Sequence, residues 1–333
     1  MIEALAKLVR SQSLTEDEAA AAFEVIMRGD ATPSQIAGFA IALRMKGETA
    51  DEITGFARTM RAMATPIEVE GPLLDTCGTG GDGLATFNIS TLAAIVAAAC
   101  GARVAKHGNR AASSQCGSAD VLEHLGVKID LAPEGVARCI NQAGIGFLFA
   151  PVFHPSFRFA AVPRRELGLR TVFNILGPLC NPAGARYQSL GVADLGLAST
   201  MADVLQRLGV ERALVFHSGE GMDELSAGSP SFVIEMDGSR KEYQLDPAEL
   251  GLRAGSIESV RGGNPEENAR LAREVLDGAK GPRRDVVLLN SAAALRAAGL
   301  AKGWKQGLGM AADAIDSGRA REVLARWASI SVQ

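Results

Sequence analysis

Asp75-Thr76-Cys77-Gly78-Thr79-Gly80-Gly81-Asp82-Gly83-Leu84-Ala85-Thr86-Phe87-Asn88-Ile89-Ser90-Thr91 is the stretch on which the reading of this chain turns. It starts where the apolar pair Leu73-Leu74 gives out and ends where an alanine-rich run opens toward Cys100. That order predicts strand, glycine loop, helix. Gly78, Gly80, Gly81 and Gly83 let backbone N–H groups turn toward one point with no side chain in the way. Converging N–H groups in front of a helix N-terminus suit an anion, phosphate above all. The loop alone is also compatible with nothing more than a tight turn. The dinucleotide spacing Gly-x-Gly-x-x-Gly is met at Gly78, Gly80 and Gly83, but polar Thr86 and Asn88 intervene before the helix. No P-loop Lys follows, so both standard nucleotide motifs fit poorly.

Working outward, 333 residues suggest about two domains. A composition of 47% hydrophobic and 22% charged residues is that of a globular chain with a sizeable core. The net charge of −4, with basic residues scattered, argues against a nucleic-acid surface. Five dispersed cysteines (Cys77, Cys100, Cys116, Cys139, Cys180) form no Cys-x-x-Cys pair and suit free thiols in a reducing, cytoplasmic setting. The segment Met1–Arg10 carries Glu3, Lys7 and Arg10 and lacks a signal-peptide core. No apolar run of 18 residues is present, so no membrane span is expected.

Upstream of the glycine stretch, residues 1–65 read as helices only. Thr15–Glu18, Thr32–Gln35 and Thr49–Glu52 are three capping boxes, with Pro33 at a first helical position. Gly29 and Gly47 stand where the preceding helices end. Downstream, short apolar strands alternate with helices. Strands are expected at Leu73–Cys77, Arg103–Ala105, Gly146–Phe149, Ser189–Ala193, Ala213–His217 and Phe232–Met236. Helices are expected from Ser90, Ser118, Pro133 and Gly196, then over Asn264–Leu276 and Arg284–Ala298, with a last one ending near Trp327. The expected fold is α/β: a small all-helical N-terminal domain, 1–68, with part of 155–185 a candidate to join it, and a larger domain, 69–333, with a mostly parallel sheet.

Ligands in such sheets sit beyond the carboxyl ends of the strands, and three polar loops follow Cys77, Ala105 and His217. The second, Lys106-His107-Gly108-Asn109-Arg110-Ala111-Ala112-Ser113-Ser114, packs cations, an imidazole, an amide and hydroxyls into one connection. It suits phosphate oxygens, or is simply a solvated loop with Ser118 as an N-cap. The third carries Asp223-Glu224, adjacent carboxylates that could hold magnesium beside substrate phosphates or be an ordinary surface pair. His154–Pro182 holds Arg158, Arg164, Arg165 and Arg170, of which one could fork onto a carboxylate.

Taken together these pieces resemble the anthranilate phosphoribosyltransferase family of tryptophan biosynthesis. The matching motifs are Gly78–Gly83, Thr86–Thr91, Lys106–Arg110, Asp223-Glu224 and Arg170-Thr171 through Asn181-Pro182, in the family's order and spacing. The related pyrimidine nucleoside phosphorylases carry a Lys-x-Ser-Thr-Gly-Gly phosphate loop where Asp75-Thr76-Cys77-Gly78-Thr79 stands. The resemblance implies a magnesium-dependent pentosyltransferase that joins anthranilate to the ribose of phosphoribosyl pyrophosphate. It implies a homodimer with two magnesium ions per subunit and no nucleic-acid or membrane partner. It assigns phosphoribosyl pyrophosphate to Gly78, Gly81, Asp82, Thr86, Asn88, Ile89, Ser90, Thr91, Lys106, His107, Gly108, Asn109, Arg110, Ala111, Ala112, Ser113, Ser114 and Ser118. Ser90, Asp223 and Glu224 would organise magnesium. Gly78, Asn109 and Arg164 would meet anthranilate, with His107 beside it. Asp223, Glu224, His107 and Arg164 are the implied catalytic set. Val162-Pro163, Ala111-Ala112 and Cys180 depart from the family's usual residues and remove no implied ligand.

Overall fold

The computed structural model describes residues 1–111, 115–252 and 255–333. The chain opens with α1 (Ile2–Leu8), α2 (Glu16–Arg28), α3 (Pro33–Lys46) and α4 (Ala50–Ala62). Each of α2, α3 and α4 starts at its capping box: Thr15, Thr32 and Thr49 accept from the N3 amide, and Glu18, Gln35 and Glu52 reach back. Gly29 ends α2 at φ +81°, a left-handed cap that also leaves room for the Phe159 ring. The four helices close on Phe23, Phe39 and Phe56, all fully buried, with Phe23 and Phe56 centroids 5.2 Å apart. Each such ring contributes roughly 1.5–3 kcal/mol through burial.

The strands are β1 (Leu74–Gly78), β2 (Val104–Gly108), β3 (Ile145–Phe149), β4 (Tyr187–Gly191), β5 (Arg212–Ser218), β6 (Ser231–Asp237) and β7 (Arg240–Leu245). They form one seven-stranded sheet in the order β3-β2-β1-β4-β5-β6-β7. The first five are parallel, and β6 and β7 add antiparallel at one edge. The remaining helices, in chain order, are α5 (Ile89–Ala99), α6 (Ser118–His124), α7 (Pro133–Ala143), α8 (Ala150–Phe153), α9 (Ala161–Leu167) and α10 (Val172–Ile175). They continue as α11 (Ala198–Arg207), α12 (Pro265–Leu276), α13 (Pro282–Ala297), α14 (Trp304–Asp316) and α15 (Arg319–Ser331).

Helix α5 is apolar around its whole circumference, and it is buried between the sheet and α13 to α15. The other face of the sheet shares its core with the helical bundle. Leu190 and Val192, Val215 of β5, and Val204 and Leu205 of α11 belong to the same apolar cluster as Phe23 and Phe56, together with Ala160, Val172 and Phe173. Arg61 fastens this junction by donating to the carbonyls of Leu179 (2.7 Å) and Leu208 (3.0 Å).

Several boundaries differ from the sequence reading. Strand β2 runs on through Lys106, His107 and Gly108, which that reading places in the following loop; a buried Lys and His break the apolar signal of a central strand. β7 is an addition to the expected strands, because Arg240–Leu245 lies at the sheet edge with its side chains mostly exposed. The last helical stretch is two helices, α14 and α15, separated by Gly318 at φ +81°. Ser118 is the first residue of α6, and Gly117 is its N-cap.

Candidate active site

Strands β1 and β4 end side by side on paired glycines, Gly78 and Gly191. A Cβ on Gly78 would overlap the Asp223 carboxylate, and one on Gly191 would overlap the Asp223 main chain. Two missing side chains thus make the notch into which the β5–β6 connection lowers Asp223. Gly80 N–H donates to Asp223 Oδ2 at 2.6 Å, so the first and third loops meet directly. The glycine loop reaches that position through left-handed residues, Gly80 (φ +67°), Gly81 (φ +74°) and Gly83 (φ +76°). The Arg170 guanidinium lies where a Gly81 side chain would be.

Asp82, Asp223 and Glu224 bring carboxylate oxygens within 4.8 Å of one another. Asp82 Oδ2 and Glu224 Oε2 are buried without a hydrogen-bond partner. Burial, then the neighbouring Asp82 charge, pushes the Asp223 carboxyl up to about 6. Burial, then the Asp223 charge, drives Glu224 well above its ordinary value. Carboxylates crowded this way hold protons unless a cation takes their place. An all-oxygen donor set with orphaned lone pairs fits a hard divalent cation such as magnesium.

The second loop approaches through Lys106, which is only 2% exposed. Its ammonium donates to the Thr76 carbonyl (2.5 Å) and to Ser90 Oγ (3.4 Å). Burial pulls its pKa down while the Asp75 charge opposes the shift. Asp75 is itself wholly buried. It accepts from His107 N–H (3.1 Å) and from Asn181 Nδ2 (2.8 Å), and Asn181 also donates to the Ala105 carbonyl. These bonds lock β1, β2 and the 177–182 segment together beneath the site.

His107 Nδ1 lies 3.0 Å from the Gly177 carbonyl. A carbonyl only accepts, so Nδ1 carries the proton and Nε2 is left as an acceptor; Nε2 is buried and unpartnered. Burial, reinforced by His154 with its ring 5.1 Å away, lowers His107 to about 3. Arg164 in α9 is half-buried, with its Cζ 4.9 Å over the Phe157 ring, and burial lowers its pKa.

The other residues expected at the site are placed as follows. Asn88, Ile89, Ser90 and Thr91 form the N-terminal turn of α5, and Thr91 Oγ1 is buried without a partner. Thr86 bridges to Arg261. Asn109 and Arg110 are exposed; the Arg110 guanidinium is paired with Asp120 and Glu123, and Ala111 N–H also binds Asp120. Ser118 Oγ donates to the Asn109 carbonyl at 3.3 Å beside Gly108. Ala112, Ser113 and Ser114 lie outside the described residues. The sequence reading gives no role to Asp75, Asn181 or Gly191, and it leaves Asp82 out of the carboxylate cluster. A charged residue inside the apolar run Leu73–Cys77 is the available signal for Asp75.

The family model for the glycosyl transferase family, helical bundle domain, matches residues 2–64. That for the glycosyl transferase family, a/b domain, matches residues 70–321. Anthranilate phosphoribosyltransferase 2 of Streptomyces coelicolor is 61% identical over 322 residues, covering 96% of each chain. The chain belongs to the anthranilate phosphoribosyltransferase family. Among solved anthranilate phosphoribosyltransferases, the Thermus thermophilus structure superposes with a TM-score of 0.94 at 48% identity, covering 99% of both chains. The Saccharomyces cerevisiae enzyme in complex with PRPP and Mg gives 0.92 at 28% identity, over 99% of this chain and 97% of that one.

Proposed function

We propose that this chain transfers the 5-phosphoribosyl group from phosphoribosyl pyrophosphate to the amine of anthranilate, releasing pyrophosphate. The observation that carries the reading is the meeting of three loops at one sheet edge: Gly80 N–H on Asp223, Lys106 beside Ser90, and three clustered carboxylates, two of which, Asp82 and Glu224, keep an orphaned oxygen. The amine nitrogen forms a bond to C1′ as the C1′–oxygen bond to pyrophosphate breaks, and the amine proton leaves. Ser90, Asp223 and Glu224 would hold magnesium, two ions per subunit, which when bound supplies positive charge against the departing diphosphate.

This chain's own groups do the rest. The glycine loop, the α5 N-terminus, Lys106 and Ser118 hold phosphate oxygens, with the flanking residues 86–91 and 108–114 completing the donor's cradle. Arg164 receives the anthranilate carboxylate and, with Gly78 and Asn109, aims the amine. His107 Nε2, an acceptor with a pKa of about 3, is too weak a base to take the proton outright at neutral pH. It orients the amine by accepting its hydrogen bond. The acceptor substrate is an aryl amine already neutral at about pH 7, so a stronger base is not needed.

The reading further includes a homodimer, supported by the exposed Ile2, Val9 and Met45 on the bundle. It includes a cytoplasmic setting, supported by five cysteines that form no disulfide with one another. No helix is long and apolar enough to cross a membrane among the described residues. The deciding assay follows loss of anthranilate fluorescence with phosphoribosyl pyrophosphate and magnesium. Signal loss that requires all three components is expected. Phosphate-dependent cleavage of thymidine or uridine in its place would assign the site to a pyrimidine nucleoside phosphorylase.

A further inference from the structure

Asn88 occupies the N-cap of α5, where an Asn ordinarily turns its side-chain oxygen onto the first free amides of the helix. Here it makes no such bond. Its amide is held elsewhere, by a chain of hydrogen bonds that begins on the lead into α12. Gly263 N–H donates to Asn268 Oδ1 (2.7 Å), Asn268 Nδ2 donates to Asn88 Oδ1 (2.9 Å), and Asn88 Nδ2 donates to the Cys116 carbonyl (3.2 Å). The Cys116 thiol also faces Asn88 Oδ1 at 3.4 Å. A backbone N–H can only donate and a carbonyl can only accept, so the two ends fix the direction of every bond between them. Neither amide can flip without placing two acceptors, or two donors, face to face.

Asn268 is 2% exposed and lies at a three-way junction. The 85–87 segment pairs there with 260–262, through Phe87 N–H to the Val260 carbonyl and Gly262 N–H to the Ala85 carbonyl. Gly262 has no side chain where Asn268 Oδ1 and Phe87 pack. The junction holds the exit of the glycine loop, the Cys116 turn and the lead into α12.

We infer that Asn268 is a positioning residue for the phosphoribosyl donor: it draws the Asn88 amide off the N-terminus of α5, where Ile89 N–H binds the Phe87 carbonyl and Thr91 N–H the Asn88 carbonyl, and so leaves Ser90 N–H among the leading amides open to a phosphate. The inference rests on the reading that the α5 N-terminus binds the donor. Once released, Asn88 would fall back onto those amides and compete with the ligand.

The test is a double-mutant cycle on Asn268→Asp and Asn88→Ala, read as steady-state constants for each substrate. Asn268→Asp keeps the shape and still accepts from Gly263, but it presents an acceptor to Asn88 Oδ1. It is expected to raise KM for phosphoribosyl pyrophosphate about tenfold or more while KM for anthranilate moves less than about twofold. In the Asn88→Ala background, with no amide to hold, the same substitution should change kcat/KM for the donor by less than about twofold. Equal losses in both backgrounds would overturn the inference, as would an unchanged donor KM in Asn268→Asp. If the buried carboxylate prevents folding, Asn268→Ala takes its place in the cycle with the same expectations. The donor reading has its own arm, inorganic pyrophosphate titrated against the unaltered protein. Absence of competition with phosphoribosyl pyrophosphate there sinks that reading, whereas competition together with an additive cycle sinks the role of Asn268 alone.

Discussion

Arg164 and His154 show how differently burial can leave two basic side chains. The Arg164 guanidinium stays charged despite its burial over Phe157, so it can meet a carboxylate with a fork of donors. Arg164→Ala should raise KM for anthranilate about a hundredfold and leave the donor KM within about threefold; equal effects in steady-state kinetics would remove its carboxylate role. His154 goes the other way. It donates to the Cys180 carbonyl from Nε2 (2.8 Å), and burial lowers its pKa to about 4. The unfolded chain takes up the proton near pH 6.5 and the folded chain does not. The stability held above pH 6.5 is therefore lost as pH falls toward 4. Between about pH 7.5 and 5 that amounts to about 2 kcal/mol. His154→Gln should flatten the pH dependence of unfolding by this amount, measured by urea titration at both pH values. A variant that tracks the unaltered protein would show that His154 is not held neutral. Asp223 and Glu224, with raised pKa values, work in the opposite direction and are common to both proteins.

Between strands, the site is shaped as much by absent side chains as by present ones. Gly191→Ala would push on the Asp223 main chain from β4, a strand that contributes no ligand of its own. It is expected to raise the magnesium concentration for half-maximal activity about tenfold or more, as disturbed support of metal ligands commonly does. Activity titrated against magnesium checks this, and an unchanged midpoint would mean that the loop has slack. The same elements show what can be read in advance. Capping boxes announce α2, α3 and α4 because each Thr–Glu or Thr–Gln pair acts locally, three residues apart. The parallel sheet is legible from alternation, and the glycine loop from composition. Lys106 and His107 are recognisable for their chemistry yet read as lying outside the strand, since nothing local shows that Asp75 accepts from His107 N–H, or that the Thr76 carbonyl and Ser90 hydroxyl accept from Lys106, inside the fold. Gly191, Asn181 and Asn268 act through partners from 32 to 180 residues away, beyond any periodicity. Asn268 in particular sits in an ordinary helical sequence, and only its distance to Asn88 gives it meaning.

At the scale of the molecule, the bundle and the sheet are not independent. One apolar cluster runs from Phe23 and Phe56 through Val172 and Phe173 to Leu190 and Val215, and Arg61 pins it to two carbonyls. Heating should therefore give a single cooperative calorimetric transition with equal calorimetric and van't Hoff enthalpies; two resolved transitions would contradict the shared core. The covalent link between the two parts is slight by comparison: residues 66, 68 and 70–72 are exposed and belong to no helix or strand. Proteins tolerate a break at such a place when noncovalent surface holds the pieces together. Severed after Glu68 and produced as two polypeptides in one cell, the bundle and the sheet should co-purify and regain turnover, and neither piece should persist without the other. A tag-free half that stays folded alone would show that the seam is weaker than its shared apolar cluster suggests. The peptide bond that joins them would then be the fastening that matters, rather than a convenience of synthesis.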